Sequence, residues 1–140
     1  MSWILYATLS ATFAALTAIL AKIGIKNVDS NLATAIRTTV ILFFTWGIVA
    51  FQKNISQIMN LDKTAIIFLV LSGLATGFSW LFYFKALQIG EASKVVPIDK
   101  LSLVLTIIFA GIFLKEEVNW QTLVGALLMT AGTVIIAFAK

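Results

Sequence analysis

Five apolar runs, each about long enough to cross a membrane, dominate this sequence. Short polar connections separate the runs, which cover residues 3–21, 33–51, 64–84, 95–114 and 119–139. A helix needs about 20 apolar residues to cross a bilayer core of roughly 30 Å. Membrane strands would instead show short segments that alternate with period two, unlike these solid runs. The sequence therefore predicts an all-α integral membrane protein, a bundle of five transmembrane helices that forms one domain over residues 1–140.

Composition supports a membrane protein and excludes several classes of function. Hydrophobic residues make up 61% of the chain, against roughly 45–50% in soluble domains. The chain has no His and no Cys, which excludes catalysis, zinc sites and disulfides built from those residues. Its Lys and Arg residues flank the apolar runs and form no patch with interleaved aromatics, so a nucleic-acid partner is not expected. We expect contact with the lipid bilayer, no metal or cofactor, and no enzymatic activity.

The amino terminus has no basic segment and no Ala-x-Ala site, so we expect the first run to be retained as a membrane span. Orientation is only weakly biased, because Lys and Arg counts in the connections differ little between the two sides of the membrane. The side that carries the carboxyl terminus has Lys22, Lys26, Lys85, Lys94 and Lys140, and the other side has Lys53, Lys63 and Lys115. This distribution leans towards a cytoplasmic carboxyl terminus and also permits insertion both ways.

Charged residues near the start of the fourth run are the strongest functional feature. Asp99 and Lys100 closely follow the single proline of the chain, Pro97. An ionisable side chain inside a membrane span is unfavourable by several kcal/mol unless it faces protein or water. We expect Pro97 to occupy the first turn of the helix, where its missing N–H is harmless. Adjacent side chains do not face each other on a helix, so Asp99 should need a partner from another helix.

Three basic residues are candidate partners for Asp99 at the same end of the bundle, namely Arg37, Lys22 and Lys85. Arg37 lies about two turns into the second span, and two interpretations of it remain open. Its long stem can snorkel to the interface, or its guanidinium can face the interior of the bundle. We assign Arg37, Lys85 and Lys100 to charge recognition or gating.

Polar faces on the first, third and fourth spans predict a cavity. Their hydroxyls can either line this cavity or bond to carbonyls of their own helices. The predicted substrate-binding residues are Tyr6, Ser10, Ser72, Thr76, Ser79, Trp80, Tyr83, Asp99, Ser102 and Thr106.

Small residues recur at helical spacing on three spans, and such faces allow close helix contact in a membrane. These predicted packing residues are Ala7, Ala11, Ala14, Ala18, Gly73, Gly77, Gly125 and Gly132. The contacts on the fifth span can form within one subunit or between two.

Polar residues in the connections predict where helices begin. Asp29 and its neighbours are placed to cap the second span, Asp62 the third and Asn119 the fifth. Residues 85–94 contain Gly90 and Glu91 and predict a tight turn between the third and fourth spans.

The chain resembles the EamA domain of the drug/metabolite transporter superfamily in the number and order of its spans, most strongly from about residue 72 onward. The third span ends with the pattern of Ser79, Tyr83, Ala86, Leu87 and Gly90, and the fourth opens with that of Val95, Pro97 and Ile98. Glu116 after the fourth span and the spacing of Gly125 and Gly132 complete the likeness.

This resemblance implies a transporter of a small metabolite or drug-like solute. Family members usually carry two five-helix units in inverted orientation, so a single unit should form a homodimer, which can be antiparallel, or a heterodimer with a related unit. We expect the protein to be located in the inner (plasma) membrane. Small multidrug pumps of the superfamily carry a glutamate in their first helix, and this chain has none there, so proton coupling by that route is not expected. The alternatives are a non-transporting membrane subunit and a subunit of a lipid-linked sugar flippase.

Overall fold

The computed structural model describes residues 2–53 and 55–139, which form helices and no strand. Five helical segments in this part of the chain are long and apolar enough to cross a membrane. They are α1 (Trp3–Gly24), α2 (Ser30–Phe51), α3 (Lys63–Ile89), an interrupted span over Ala92–Leu114, and α6 (Trp120–Phe138). A short 3-10 helix, Ile55–Asn60, lies in the longest connection. The predicted all-α membrane protein with five spans is confirmed.

Two of the predicted helix starts are capped by side chains. The Asp29 carboxylate accepts hydrogen bonds from backbone N–H groups two and three residues later, at 2.9 and 3.1 Å, where α2 begins. Asn119 accepts from the backbone N–H of Thr122 at 2.9 Å and from the Thr122 hydroxyl at 2.8 Å. Each cap satisfies N–H groups that have no partner inside the helix, typically worth about 1 kcal/mol. These caps confirm the predicted roles of Asp29 and Asn119.

The tight turn predicted over residues 85–94 is present at Gly90 and Glu91, but its predicted bounds are wrong. Helix α3 continues through Lys85 to Ile89, and α4 (Ala92–Asp99) begins after a break at only two residues. The last carbonyls of a helix lack intrahelical donors, and here the Lys22 ammonium group donates to the carbonyl of Leu87. This bond supports the extra turn at the end of α3.

The expected position of Pro97 is also wrong. Because α4 begins at Ala92, Pro97 lies inside the helix and not in its first turn. A proline there removes one backbone hydrogen bond and disturbs the preceding turn. Helix α4 ends at Asp99, and the backbone then tightens to bonds between residues three apart, such as Leu101 N to Ile98 O at 3.0 Å. The regular hydrogen bonding of the fourth span is therefore interrupted just after its proline, while Lys100 and Leu101 keep right-handed helical backbone angles.

The second half of this span has its own irregular end. Helix α5 (Ser102–Phe109) runs into a short π-helical segment, Ala110–Leu114. The segment ends at Lys115, whose φ of 55° and ψ of 32° place it in the left-handed region. A reversal of this kind commonly terminates helices, usually at glycine.

The chain divides into two compact units. We call residues 20–88 the α2–α3 unit, since it holds those two helices and the end of α1. Its largest fully buried side chains are Ile25 and Leu87, and the ring of Phe84 is 2% exposed. The side-chain amide of Gln88 donates to the carbonyl of Val28 at 2.8 Å. The end of α3 is thereby bonded to the connection that precedes α2.

Residues 1–19 and 89–140 form the other unit, which we call the α4–α6 unit. In it, α4 and α5 pack against α6. Thr133 of α6 is buried, and its hydroxyl donates to the carbonyl of Pro97 at 3.3 Å. A carbonyl beside the helix break thus has a partner on a neighbouring helix.

Candidate functional site

Arg37 packs against two aromatic rings in the α2–α3 unit. Its guanidinium carbon lies 4.5 Å from the centroid of the Trp80 ring and 5.2 Å from that of Phe84. Trp80 and Phe84 are four residues apart, which places them one turn apart on the same face of α3. A desolvated cation held over aromatic rings is stabilised by about 2 kcal/mol. We call Arg37, Trp80 and Phe84 the Arg37 cluster.

The Arg37 cluster lies within the membrane-spanning helices and not at their ends. Arg37 is seven residues after the start of α2, at Ser30, which corresponds to a distance of about 10 Å along the helix at 1.5 Å per residue. Trp80 and Phe84 precede the end of α3, at Ile89, by nine and five residues, or about 13 and 7 Å. The Arg37 guanidinium therefore lies about as far from the helix end as the Arg37 backbone does. This position favours the interior interpretation over snorkelling.

The α2–α3 unit provides no carboxylate for Arg37. Its acidic residues are Asp29, which caps α2, and Asp62, next to α3. Neither forms an ion pair with Arg37 in the structure described, where the ion pairs join Glu91 to Lys94 and Asp99 to Lys100. Within its unit, Arg37 thus packs against the Trp80 and Phe84 rings and interacts electrostatically with Tyr83.

Asp99 and Lys100 form an ion pair with each other. The Lys100 ammonium nitrogen lies 3.5 Å from a carboxylate oxygen of Asp99. The expectation that adjacent residues could not pair is wrong here, because α4 ends at Asp99 and Lys100 begins the tightened turn. The two side chains are 35% and 52% exposed, so this pair provides little stability in water. Its importance lies in its position at the interruption of a membrane span.

Two of the predicted cavity hydroxyls bond to their own helices. Thr76 donates to the carbonyl of Ser72 at 2.9 Å, and Thr106 donates to that of Ser102 at 2.8 Å. Such bonds satisfy a hydroxyl in an apolar environment, so they match the alternative interpretation of these two threonines.

The other predicted cavity residues differ in exposure. Tyr6, Ser10 and Ser79 are exposed, whereas Trp80, Tyr83 and Asp99 are half-buried. Among them, Trp80 contacts Arg37, and the Tyr83 ring packs edge-on against Phe84 with centroids 6.1 Å apart. Lys85 donates to the side-chain oxygen of Gln88 at 3.3 Å. A single cavity lined by all of these residues stays a prediction.

The four glycines of the predicted packing faces are open. A Cβ atom built at Gly73, Gly77, Gly125 or Gly132 would meet no described atom within 4 Å. On α1, Ala18 is buried, whereas Ala7, Ala11 and Ala14 are exposed. Use of the open positions by another subunit stays a prediction.

Sequence reasoning missed the contact between Arg37 and Trp80 and the interruption at Lys100. Helix counting could have found the contact, because neighbouring antiparallel helices bring positions at equal depth together. The interruption depends on where α4 begins, which the predicted turn had placed too late.

Comparison with known proteins identifies the family of this chain. The model of the EamA-like transporter family matches residues 1–138. The chain belongs to the EamA-like transporter family. The family resemblance seen in the sequence is thereby confirmed, and the chain is a multi-pass membrane transporter in general terms.

Two relatives of this EamA-like chain are similar to it to different degrees. An uncharacterized transporter from the cobO 3′ region of a Sinorhizobium species is 46% identical over 136 residues, covering 97% of this chain and 96% of the relative. An uncharacterized protein of Methanocaldococcus jannaschii is 24% identical over 84 residues, covering 60% and 61% of the two chains. No solved structure gives a significant match.

Proposed function

We propose that this EamA-like chain moves a small metabolite across the inner membrane and works as a dimer of five-helix units. The observation that carries the proposal is the irregular helical hydrogen bonding of the fourth span at Lys100 and Leu101, beside the Asp99 carboxylate. Irregular backbone at membrane depth is tolerated where it is buried in protein or lines a water-filled cavity. An ionisable side chain inside a membrane span commonly marks a substrate or ion pathway.

The number of spans supports a dimer. Five spans place the two termini on opposite sides of the membrane, and transporters with inverted repeats bind substrate between the repeats. One unit therefore supplies half of such a pathway, and a second copy inserted in the opposite direction supplies the other half. The open positions at Gly73 and Gly125 offer α3 and α6 as close-contact surfaces for that copy.

Metabolite profiling tests the transport proposal across many solutes at once. Cells that produce the protein are compared with cells that produce Asp99→Asn, Ser79→Ala or Tyr83→Phe at equal membrane levels. We expect at least one small solute to change its distribution between cells and medium with the unaltered protein and to change less with the variants. Identical profiles for all four proteins would reject the proposed cavity. A stoichiometric copurifying partner without any redistributed solute would instead indicate a non-transporting subunit.

Membrane orientation tests the dimer. The natural chain has no cysteine, so Asn27→Cys and Asn60→Cys report on opposite sides with a membrane-impermeant maleimide. Substantial labelling of both variants in intact cells is expected for antiparallel homodimers. Labelling of only one variant would reject that dimer and point to a differently inserted partner.

A further inference from the structure

We infer that the Arg37 cluster binds an oxyanion, a carboxylate or phosphate group carried by an organic molecule. This inference rests on the proposed transport function for its biological meaning, since the bound anion would be part of the transported molecule. The site itself is defined by the geometry within the α2–α3 unit and can be tested without transport.

The contact with Trp80 and Phe84 uses the face of the guanidinium and leaves its edge available. Arginine is planar, and its N–H donors lie in that plane in a fork that matches carboxylate and phosphate. Stacking on a ring and bidentate binding of an oxyanion are therefore compatible. Arg37 is half-buried, and none of its N–H groups bonds to a described residue. The donors needed for an oxyanion remain unused.

Electrostatics favours an anion at this position. A cation seven residues into a membrane-spanning helix is stable only where charge or dipoles compensate it. The α2–α3 unit offers Arg37 aromatic rings but no ion-paired carboxylate. Arg37 is also the only arginine in the chain. An incoming oxyanion would supply the missing charge in a site of low dielectric, where charge-assisted bonds are stronger.

The rings also select what the oxyanion is attached to. Trp80 presents a half-buried indole beside the cation, so an apolar or aromatic group next to the oxyanion gains contact area. Two sources carry such chemistry, namely a small organic acid from water and the headgroup region of an anionic lipid. Both place an oxyanion next to apolar carbon.

Tryptophan fluorescence tests this site directly. Trp3→Phe, Trp46→Phe and Trp120→Phe leave Trp80 as the single indole. The protein is placed in phosphatidylcholine nanodiscs and titrated with benzoate and phenyl phosphate, with neutral benzamide as the matched probe. We expect a saturable change in Trp80 emission with at least one anion and none with benzamide. Equal responses to the anions and to benzamide, or no response to either anion, would overturn the inference.

Arg37 variants assign the effect to the cluster. Arg37→Gln should weaken the apparent affinity about tenfold or more, since a charged hydrogen-bond partner is lost. The apparent affinity of Arg37→Lys should be intermediate, because lysine keeps the positive charge but lacks the planar fork of N–H donors. Lys26→Gln removes an exposed cation from the same unit and should change nothing. If Arg37→Gln fails to fold, the inference is still tested by comparing the Trp80 emission changes that benzoate and benzamide cause in the protein with Arg37. Unchanged affinity in a folded Arg37→Gln protein would overturn the inference.

Anionic lipid in the nanodiscs distinguishes the two sources of the oxyanion, a soluble acid and a lipid headgroup. Replacing part of the phosphatidylcholine by phosphatidylglycerol should leave Trp80 emission unchanged if the ligand is a soluble acid. A shift that Arg37→Gln abolishes would also support the oxyanion site, with the lipid headgroup as its source. Anion binding without any redistributed solute in cells would support this site and reject the proposed transport function.

Discussion

The guanidinium carbon of Arg37 lies 4.5 Å from the centroid of the Trp80 ring, and this contact joins α2 to α3 inside the membrane-spanning part of the chain. Charged side chains in membrane spans usually face protein or water, and here the facing surface is aromatic. The contact gives a specific expectation for stability as well as for ligand binding.

Arg37 and Trp80 should be energetically coupled. A double-mutant cycle of Arg37→Gln and Trp80→Leu is expected to give a coupling free energy of about 0.5–2 kcal/mol. Unfolding by sodium dodecyl sulfate in mixed micelles measures it. Trp46→Leu is the matched control, because Trp46 lies nine residues from Arg37 and thus on the opposite face of α2. Equal coupling of Arg37 to both tryptophans would contradict the assignment.

Thr133 should stabilise the break in the fourth span. Thr133→Val keeps the shape but loses the bond from the hydroxyl to the carbonyl of Pro97, so the free energy of unfolding should fall by about 0.5–1.5 kcal/mol. Thr130→Val is the matched control, since the Thr130 hydroxyl donates to Ala126 of its own helix. The same micelle assay compares the two. A loss in Thr130→Val as large as that in Thr133→Val would argue against a specific role of the contact with Pro97.

Gln88 should hold the end of α3 to the connection before α2. Gln88→Leu removes the bond to the carbonyl of Val28, which should weaken local closure by about 1 kcal/mol. Hydrogen exchange of the peptides that span residues 20–30 and 84–92 should accelerate accordingly. Gln121→Leu alters an exposed residue of α6 and serves as the control. Unchanged exchange at residues 20–30 in Gln88→Leu would contradict the role of this bond.

A large side chain at Gly125 should be compatible with the fold of one chain but should weaken the dimer. No described atom lies within 4 Å of a Cβ at Gly125, and glycine is unfavourable inside a helix, so Gly125→Leu should keep the secondary structure and not lower the thermal midpoint of the monomer. If α6 forms close subunit contacts, the dimer fraction should fall, as measured by single-molecule photobleaching in bilayers. Gly47→Leu, at an equally open position on α2, is the control. An undiminished dimer fraction would place the interface elsewhere.

The number and order of the spans were predictable from the sequence, because apolar length alone decides whether a helix can cross a bilayer. The starts of α2 and α6 were predictable too, since Asp29 and Asn119 carry their caps in local sequence. Local patterns did not reveal that α3 continues past Lys85. That extension involves the bond from Lys22 to the carbonyl of Leu87, which joins residues far apart in the chain.

The candidate site was predictable in composition but not in arrangement. Trp80 and Arg37 were both predicted as site residues, yet their contact depends on how two helices pack side by side. The pairing of Asp99 with Lys100 was missed because the rule for neighbouring residues assumes a continuous helix, and α4 ends at Asp99. An error in one helix boundary thus changed the expected partner of a charge.

Lys115 should be replaceable by glycine with a gain in stability. Its φ of 55° and ψ of 32° lie in the left-handed region, where a Cβ is unfavourable by about 1 kcal/mol and glycine is not penalised. Lys115→Gly is therefore expected to raise the free energy of unfolding by about 0.5–1 kcal/mol in the micelle assay. Lys115→Ala removes the same charge but keeps the Cβ, so it should give no gain. Equal stabilisation by alanine would show that charge, and not backbone conformation, is responsible.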